Sequence, residues 1–258
     1  MNLPFITAKQ KQILLLLFKF RFLNTNQFQK LFNHKSPTRI QDWLKDLKEK
    51  GYIGTNYSRK SFDTVNKPAV YFLKAKARHI LKKEKGCDIK TLEKVYKENK
   101  RKEPFINHCL TIADIYLFFI AKKEKDEEIS FFTKSNLVGF NYFPENLPDA
   151  YIAIKKLDKT RRYFLDVFDP YTPPWVLRER VKEYLTYGTE GNWEASTSNT
   201  PIPLVLFVCP TKKLQTHVHF YTKAKLDKQF ENKISLYSST LNNMQKAKSN
   251  SEIWQKVE

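Results

Sequence analysis

Residues 36–51 read SPTRIQDWLKDLKEKG, and the architecture of the first part of the chain turns on them. Ser36 carries the side-chain oxygen of a helix N-cap, Pro37 suits the first helical position, and Gly51 suits a stop. Ile40, Trp43, Leu44 and Leu47 fall at i, i+3, i+4 and i+7, one apolar stripe for a core. Thr38, Arg39, Gln41, Asp42 and Lys45 are left on the outward side near the helix start. A base-reading helix carries its contacts near its N-terminus, so this is a candidate recognition helix. The alternative is an ordinary amphipathic surface helix.

The flanking sequence favours the first reading. Upstream, Thr7–Phe20 opens on a capping residue and sets Ile13, Leu16, Leu17 and Phe20 on one face. Asn24 or Thr25 caps a short second helix with Phe28, Leu31 and Phe32 inward. Downstream, residues 52–57 and 69–73 pattern as two strands, with Arg59, Lys60 and Lys67 in the polar stretch between them. Residues 74–85 return to helix. Three helices followed by a hairpin are the pattern of a winged helix-turn-helix. Arg39, Gln41 and Lys45 are then candidate base readers, with Ser36 and Thr38 beside them. Lys35, Arg59, Lys60 and Lys67 are candidate phosphate contacts. A winged helix used for protein docking is the competing role.

Charge points the same way. The chain of 258 residues has a formal net charge of +19. Residues 1–103 hold 25 Lys and Arg against 9 Asp and Glu, whereas residues 104–258 hold 21 against 18. A generally Lys-rich composition would spread its excess, so the asymmetry implies an anionic partner for the first part. Phosphate backbone fits better than a membrane surface, because no strongly apolar face accompanies the basic stretch near the end of this half. The apolar runs Ile13–Phe18 and Asp114–Ala121 are too short to span a bilayer. Cys87, Cys109 and Cys209 are scattered, odd in number and without metal-ligand spacing, as expected of reduced thiols in a cytoplasmic protein.

Thr91–Glu103 is Lys-rich, ends at Pro104 and reads as a solvated linking helix. The expected organisation is therefore a winged-helix domain over 1–86, a linker over 87–103 and a second domain over 104–258. In that last part, residues 105–122 pattern as an apolar helix, and 128–134, 137–143, 151–154 and 163–168 as strands. Residues 173–187 read as a helix, 203–208 as a buried strand, 226–246 as a helix and 252–257 as a last strand. The fold class is α+β, with an α/β second domain built on a mixed sheet.

Pro148-Asp149 precedes one strand of this domain, and Asp166 lies in the next, within LDVFD. Two carboxylates converging on one Mg²⁺ would polarise a phosphodiester and activate water. The strand order resembles the restriction-endonuclease-like fold, whose motif is PD…(D/E)xK. Here Phe168 stands where the lysine belongs; Lys182 is a candidate substitute and Asp169 a candidate third acid. The favoured alternative makes Asp149 and Asp166 relics in a domain that binds or assembles. His217 and His219 alternate on a possible strand but lack a third ligand. His108 reads as a hydrogen-bonded core or site-rim residue. With six glycines in the chain there is no phosphate-cradling loop. Tyr171, Trp175, Tyr184 and Tyr187 are read as core aromatics before base-stacking ones.

ITAKQKQILLLLFKFRFLNTNQFQKLF, LKEKGYI, VYFLKAKARHIL, NHCLTIADIYLFF, PDAYIAI, YFLDVFD, KEYLTY and LVLFVCP together resemble the replication-relaxation family of plasmids and other mobile elements. The resemblance implies a winged-helix DNA-binding part joined to a nuclease-like domain, with a role in replication or mobilisation. By position it marks His108, Asp149 and Asp166, the last shorter than the glutamate expected there. The resulting expectation is a double-stranded DNA-binding protein needing no cofactor to bind. Its second domain would dimerise or dock a relaxase or replication initiator. A Mg²⁺-dependent nuclease using Asp149 and Asp166, and a protein-interaction adaptor, are the alternatives.

Overall fold

A computed structural model describes residues 3–56, 67–226, 233–247, 249 and 253–257. The chain forms two compact units, Met1–Leu117 and Phe118–Glu258. The division falls later than the 103/104 boundary suggested by Pro104.

The first unit opens with α1 (Ala8–Phe20), held by a reciprocal cap between Thr7 and Gln10. A short strand, β1 (Phe22–Asn24), runs into α2 (Thr25–Leu31), which Asn24 caps with Gln27 in the same reciprocal way. Next comes α3 (Thr38–Glu49), burying Ile40, Leu44 and Leu47 as the apolar stripe requires. Its start sits one residue later than read from the sequence: Pro37 is the N-cap, while the Ser36 hydroxyl accepts the Thr38 N–H at 3.3 Å. At the other end Gly51 takes a left-handed φ of 76°, and the Gly51 and Tyr52 N–H groups bond the carbonyls of Lys48 and Leu47. That double closure terminates the helix where the glycine permits it.

The strands β2 (Ile53–Asn56) and β3 (Val70–Leu73) complete an antiparallel sheet in the order β1-β3-β2. The third strand, β1, was not legible beforehand; Phe22 faces Phe72 in its register. Residues 74–85 are less regular than expected, with a 3₁₀ turn at Ala75–Ala77 and α4 (Arg78–Leu81). The stretch read as a solvated linker is instead α5 (Ile89–Glu93) and a 3₁₀ segment, Val95–Lys100, that buries Val95 and Glu98. Glu98 is held there by Arg21 at 2.5 Å, so its charge is compensated below the surface. Helix α6 (Glu103–Ala121) follows and places Ile106 and Cys109 against Phe22 and Phe72. The run Asp114–Ala121 is thus the end of a 19-residue helix which, by length and mean hydropathy of 1.5, is long and apolar enough to cross a membrane.

The second unit is built on one six-stranded sheet, order β4-β5-β6-β7-β8-β9. Strands β4 (Glu127–Thr133), β5 (Ala150–Lys156) and β6 (Lys159–Val167) form an antiparallel meander. Strands β7 (Leu204–Cys209) and β8 (Leu236–Thr240) add parallel to β6, and the two-residue β9 (Gln255–Lys256) closes antiparallel. Between β4 and β5, the sequence suggested a strand over 137–143; the chain forms α7 (Lys134–Leu137) and turns instead. Helices α8 (Pro174–Glu190) and α10 (Lys212–Leu226) are the crossovers into β7 and β8, with short α9 (Asn192–Ser196) between them. The expected helix over 226–246 is overturned: its described part contains β8 and then α11 (Leu241–Lys246). Phe164, Tyr184, Trp193, Val205 and Phe207 sit at the centre of the core.

Candidate functional site

The register places the acidic pair. Ala150 pairs with Leu165 across β5 and β6, so Asp149 and Asp166 are the next cross-strand neighbours at the ladder's end. Both carboxylates are buried, at 4% and 5% exposure. One Asp149 oxygen accepts the Val167 N–H at 2.8 Å, continuing the strand pairing through a side chain. Its other oxygen lies 2.9 Å from the Lys134 ammonium. Lys134 arrives by the same logic: Thr133 faces Ala150 across β4 and β5, which puts residue 134 beside residue 149.

Asp166 is held from the helix. Arg180 donates through Nε to Oδ2 at 2.9 Å and through Nη2 to Oδ1 at 3.3 Å, and the Tyr184 hydroxyl donates to Oδ2 at 2.6 Å. Residues 180 and 184 are one turn apart on α8 and therefore face the sheet together. Arg180 also donates to the Asn146 carbonyl and to Glu183, which fixes the guanidinium plane. Burial pushes the Asp166 carboxyl pKa upward, opposed chiefly by the Arg180 charge and assisted by Asp149. Burial pulls the Lys134 ammonium down, but Asp149 and Asp166 outweigh it and raise its pKa. The Tyr184 phenol is raised well above its ordinary value, first by burial and then by Asp166, and stays protonated as the donor this geometry needs.

Lys182 does not join them. Two residues from Arg180, it projects about 200° around the helix, where its ammonium pairs with Glu179 at 2.6 Å. Phe168 is buried against Phe207, and Asp169, half-buried, uses its backbone N–H to bond the Thr172 hydroxyl. His217 and His219 lie on α10, not on a strand, so their side chains point in different directions; His219 bonds the Ser238 hydroxyl at 2.6 Å. Tyr184 and Tyr187 are buried as expected, whereas Tyr171 and Trp175 are 87% and 60% exposed. His108 lies on α6 and is half-buried.

A resident Mg²⁺ would need several oxygen ligands with free lone pairs. The two carboxylates are instead neutralised by Lys134 and Arg180, and both Asp166 oxygens already accept hydrogen bonds. Among the described residues, no group of three or more His, Cys, Asp or Glu side chains converges. These residues do not fit a resident Mg²⁺.

On the first unit, α3 presents a different chemistry. Lys35, Ser36, Thr38, Arg39, Gln41 and Lys45 are all exposed on or just before its first two turns. Lys35, Arg39 and Lys45 make no ion pair with a described residue. Asp46 is paired with Lys50 and Gln10, and Asp42 is the exposed acid among these cations. Lys67 is exposed; Arg59 and Lys60 fall outside the described residues.

The replication-relaxation family profile matches residues 14–202. The chain belongs to that family. The match runs from α1 through Asp149, Asp166 and Arg180 to the loop before β7, so it embraces both the α3 face and the buried acids. No curated protein matches this replication-relaxation chain. Among solved structures, it is similar to the restriction endonuclease FokI at 13% identity and TM-score 0.32, and to FokI bound to DNA at 14% and 0.29. Each alignment covers 92% of this chain and 43% of FokI, so the chain spans less than half that protein's length. Scores this low carry no fold assignment.

Proposed function

We propose that this family member is a winged-helix reader of double-stranded DNA acting in replication or mobilisation, with a catalytically silent second unit that serves assembly or docking. The observation that carries the reading is the α3 face: a row of exposed cationic and hydrogen-bonding side chains at the start of a helix whose opposite side is buried. Its setting supports the winged-helix form, since β1 joins the β2–β3 hairpin in the order β1-β3-β2 beside three helices. In that form α3 enters a major groove, while Lys35 and Lys67 meet phosphates; Arg59 and Lys60 belong to the same expectation.

The second unit's order of antiparallel meander, crossover helix and parallel strand resembles the restriction-endonuclease-like arrangement. We read its acids as structural because a cation and donors already engage each carboxylate. Dimerisation, or docking of a relaxase or initiator, is the role left for that unit, and a cytoplasmic location accords with it. A Mg²⁺-dependent nuclease is the second reading, favoured by the Lys134 ammonium 2.9 Å from Asp149. Relaxation of a supercoiled plasmid in Mg²⁺ that Asp149→Ala and Asp166→Ala both abolish would overturn the silent-domain reading.

Duplex binding is measured by anisotropy across a salt series. Log affinity should fall by about 0.9 per phosphate contact for each decade of salt. Arg39→Ala should cost ~1–3 kcal/mol and relax sequence preference if it reaches a base edge, whereas Lys35→Ala should weaken all duplexes alike. Binding indifferent to Arg39→Ala and Lys45→Ala would indicate a protein-docking module.

A further inference from the structure

One helix of the second unit carries lysines without any acid. Residues 118–258 hold 21 Lys and Arg against 17 Asp and Glu. Helix α10, KKLQTHVHFYTKAKL, contributes four lysines and no acid; the β5–β6 hairpin has a similar excess, but there Lys156 and Arg161 are paired with Glu124 and Glu127. Lys212, Gln215, Thr216, His219, Phe220 and Lys223 recur at helical spacing along one side of it, and with Gln255 of β9 they line a groove of about 260 Å³. None of these lining residues is acidic.

The groove is built from below. Gln215 is fully buried, and its amide donates to the Ser238 carbonyl and hydroxyl and to the Gln255 side chain. The Lys212 ammonium donates to the amide oxygens of Gln215 and Gln255, at 3.1 and 3.2 Å. Neutral partners thus orient this cation without cancelling its charge. His219 is pinned by Ser238, and burial, with Lys212 second, lowers its pKa, so the ring enters the groove uncharged. At its rim Phe220 is 74% exposed, a large apolar ring left in solvent. Lys212 and Lys223 are eleven residues apart, ~16 Å along the axis, too far to share one phosphate.

We propose that this groove binds single-stranded nucleic acid, with Lys212 and Lys223 on successive parts of the backbone and a base stacked on Phe220. Spaced cations around an exposed ring match a strand whose bases are free to unstack; a duplex hides the faces that Phe220 would meet. The groove is built from residues of the second unit alone, and the inference does not depend on duplex reading.

The test is fluorescence anisotropy of the full chain with a labelled 15-nucleotide oligo(dT), beside a duplex of equal length. Phe220→Ala should weaken oligo(dT) binding about 5–150-fold, the range of one base–aromatic stack. Lys212→Ala/Lys223→Ala should flatten the salt slope by about 1.4, two contacts at 0.7 each. Both changes should leave duplex affinity within about twofold, and thermal melts should show both variants folded. Arg39→Ala/Lys45→Ala should retain oligo(dT) binding, which separates this inference from the duplex proposal. The inference is overturned by absent oligo(dT) binding at low salt, by indifference to Phe220→Ala, by equal losses for the duplex, or by displacement with polyglutamate at matching charge concentration.

Discussion

Replacing Arg180 with methionine keeps most of the side chain's volume and removes every donor that holds Asp166 from the helix except the Tyr184 hydroxyl. The lost contacts are the two to Asp166 and those to Asn146, Glu183 and Tyr184. The side chains of Arg180 and Asp166 are only 11% and 7% exposed, so solvent cannot replace the missing partner. Stranding one member of a buried pair costs ~3–5 kcal/mol. A unit of about 140 residues has an unfolding entropy near 0.3 kcal/mol/K, so the melting temperature should fall ~10–17 °C. The pH dependence has a definite sign. With the cation gone, the folded-state pKa of Asp166, already raised by burial, rises further above its unfolded value. The folded form then favours the protonated acid, and stability is lost as pH rises through that pKa. The deficit against wild type should therefore widen between pH 5 and pH 8. Adding Asp166→Asn to the variant should recover most of the loss. Calorimetry at both pH values decides it: a melt within about 3 °C of wild type at pH 8 would refute the account of Asp166 as a buried charge held by Arg180.

Other consequences are smaller. Lys134→Ala should cost ~1–3 kcal/mol by denaturant titration, less than Arg180→Met, because Asp149 is buried but the Lys134 side chain is 55% exposed, so water takes over part of the lost contact while the Val167 N–H keeps the other oxygen. Gly54→Ala should cost ~1–3 kcal/mol, since a Cβ there would meet the Phe72 ring at 2.4 Å in the facing strand. Cys87, whose thiol is raised to about 11 by burial and Glu84, should hold ~100-fold less thiolate at neutral pH than an unperturbed cysteine. Its alkylation by iodoacetamide should be correspondingly slow until the chain unfolds.

Periodicity carried the first unit well. The stripe Ile40, Trp43, Leu44, Leu47 and the stop at Gly51 were visible because a helix that buries one face must space its apolar residues by turns. Strand β1 was not visible: three residues between two capped helices give no alternation to detect. The supposed linker failed for another reason. Its lysines are exposed as expected, but Val95 and Glu98 turn inward, and a buried Glu98 becomes plausible only once Arg21 is known to reach it. In the second unit, Asp149 and Asp166 could be paired from strand order, yet their partners could not. Lys134 meets Asp149 through the β4–β5 register, and no local pattern encodes register across the fourteen positions between these two residues. Arg180 and Tyr184 did leave a signal, polar groups at i and i+4 on the helix after the acidic strand. It pointed to the residue two places before Lys182.

The contrast between the two sets of charges bears on function. On α3 the cations stand in solvent without described partners, the state in which a phosphate can neutralise them and release its counterions. At the ends of β5 and β6 the acids are already satisfied: Asp149 closes the ladder through Val167, and Asp166 ties the sheet to α8. A pair kept ready for metal would have to surrender Arg180 and Tyr184 first, exposing buried donors as it did so, and each unsatisfied donor costs ~1–3 kcal/mol. Unless a ligand returns that energy, the acids serve better as the fastening between sheet and helix than as a cradle for a cation. Accessible cations without a described ion-pair partner then gather at the start of α3, where Lys35, Arg39 and Lys45 flank the exposed Asp42, and on α10, which carries four lysines and no acid. That distribution is the one the proposed hold on nucleic acid requires.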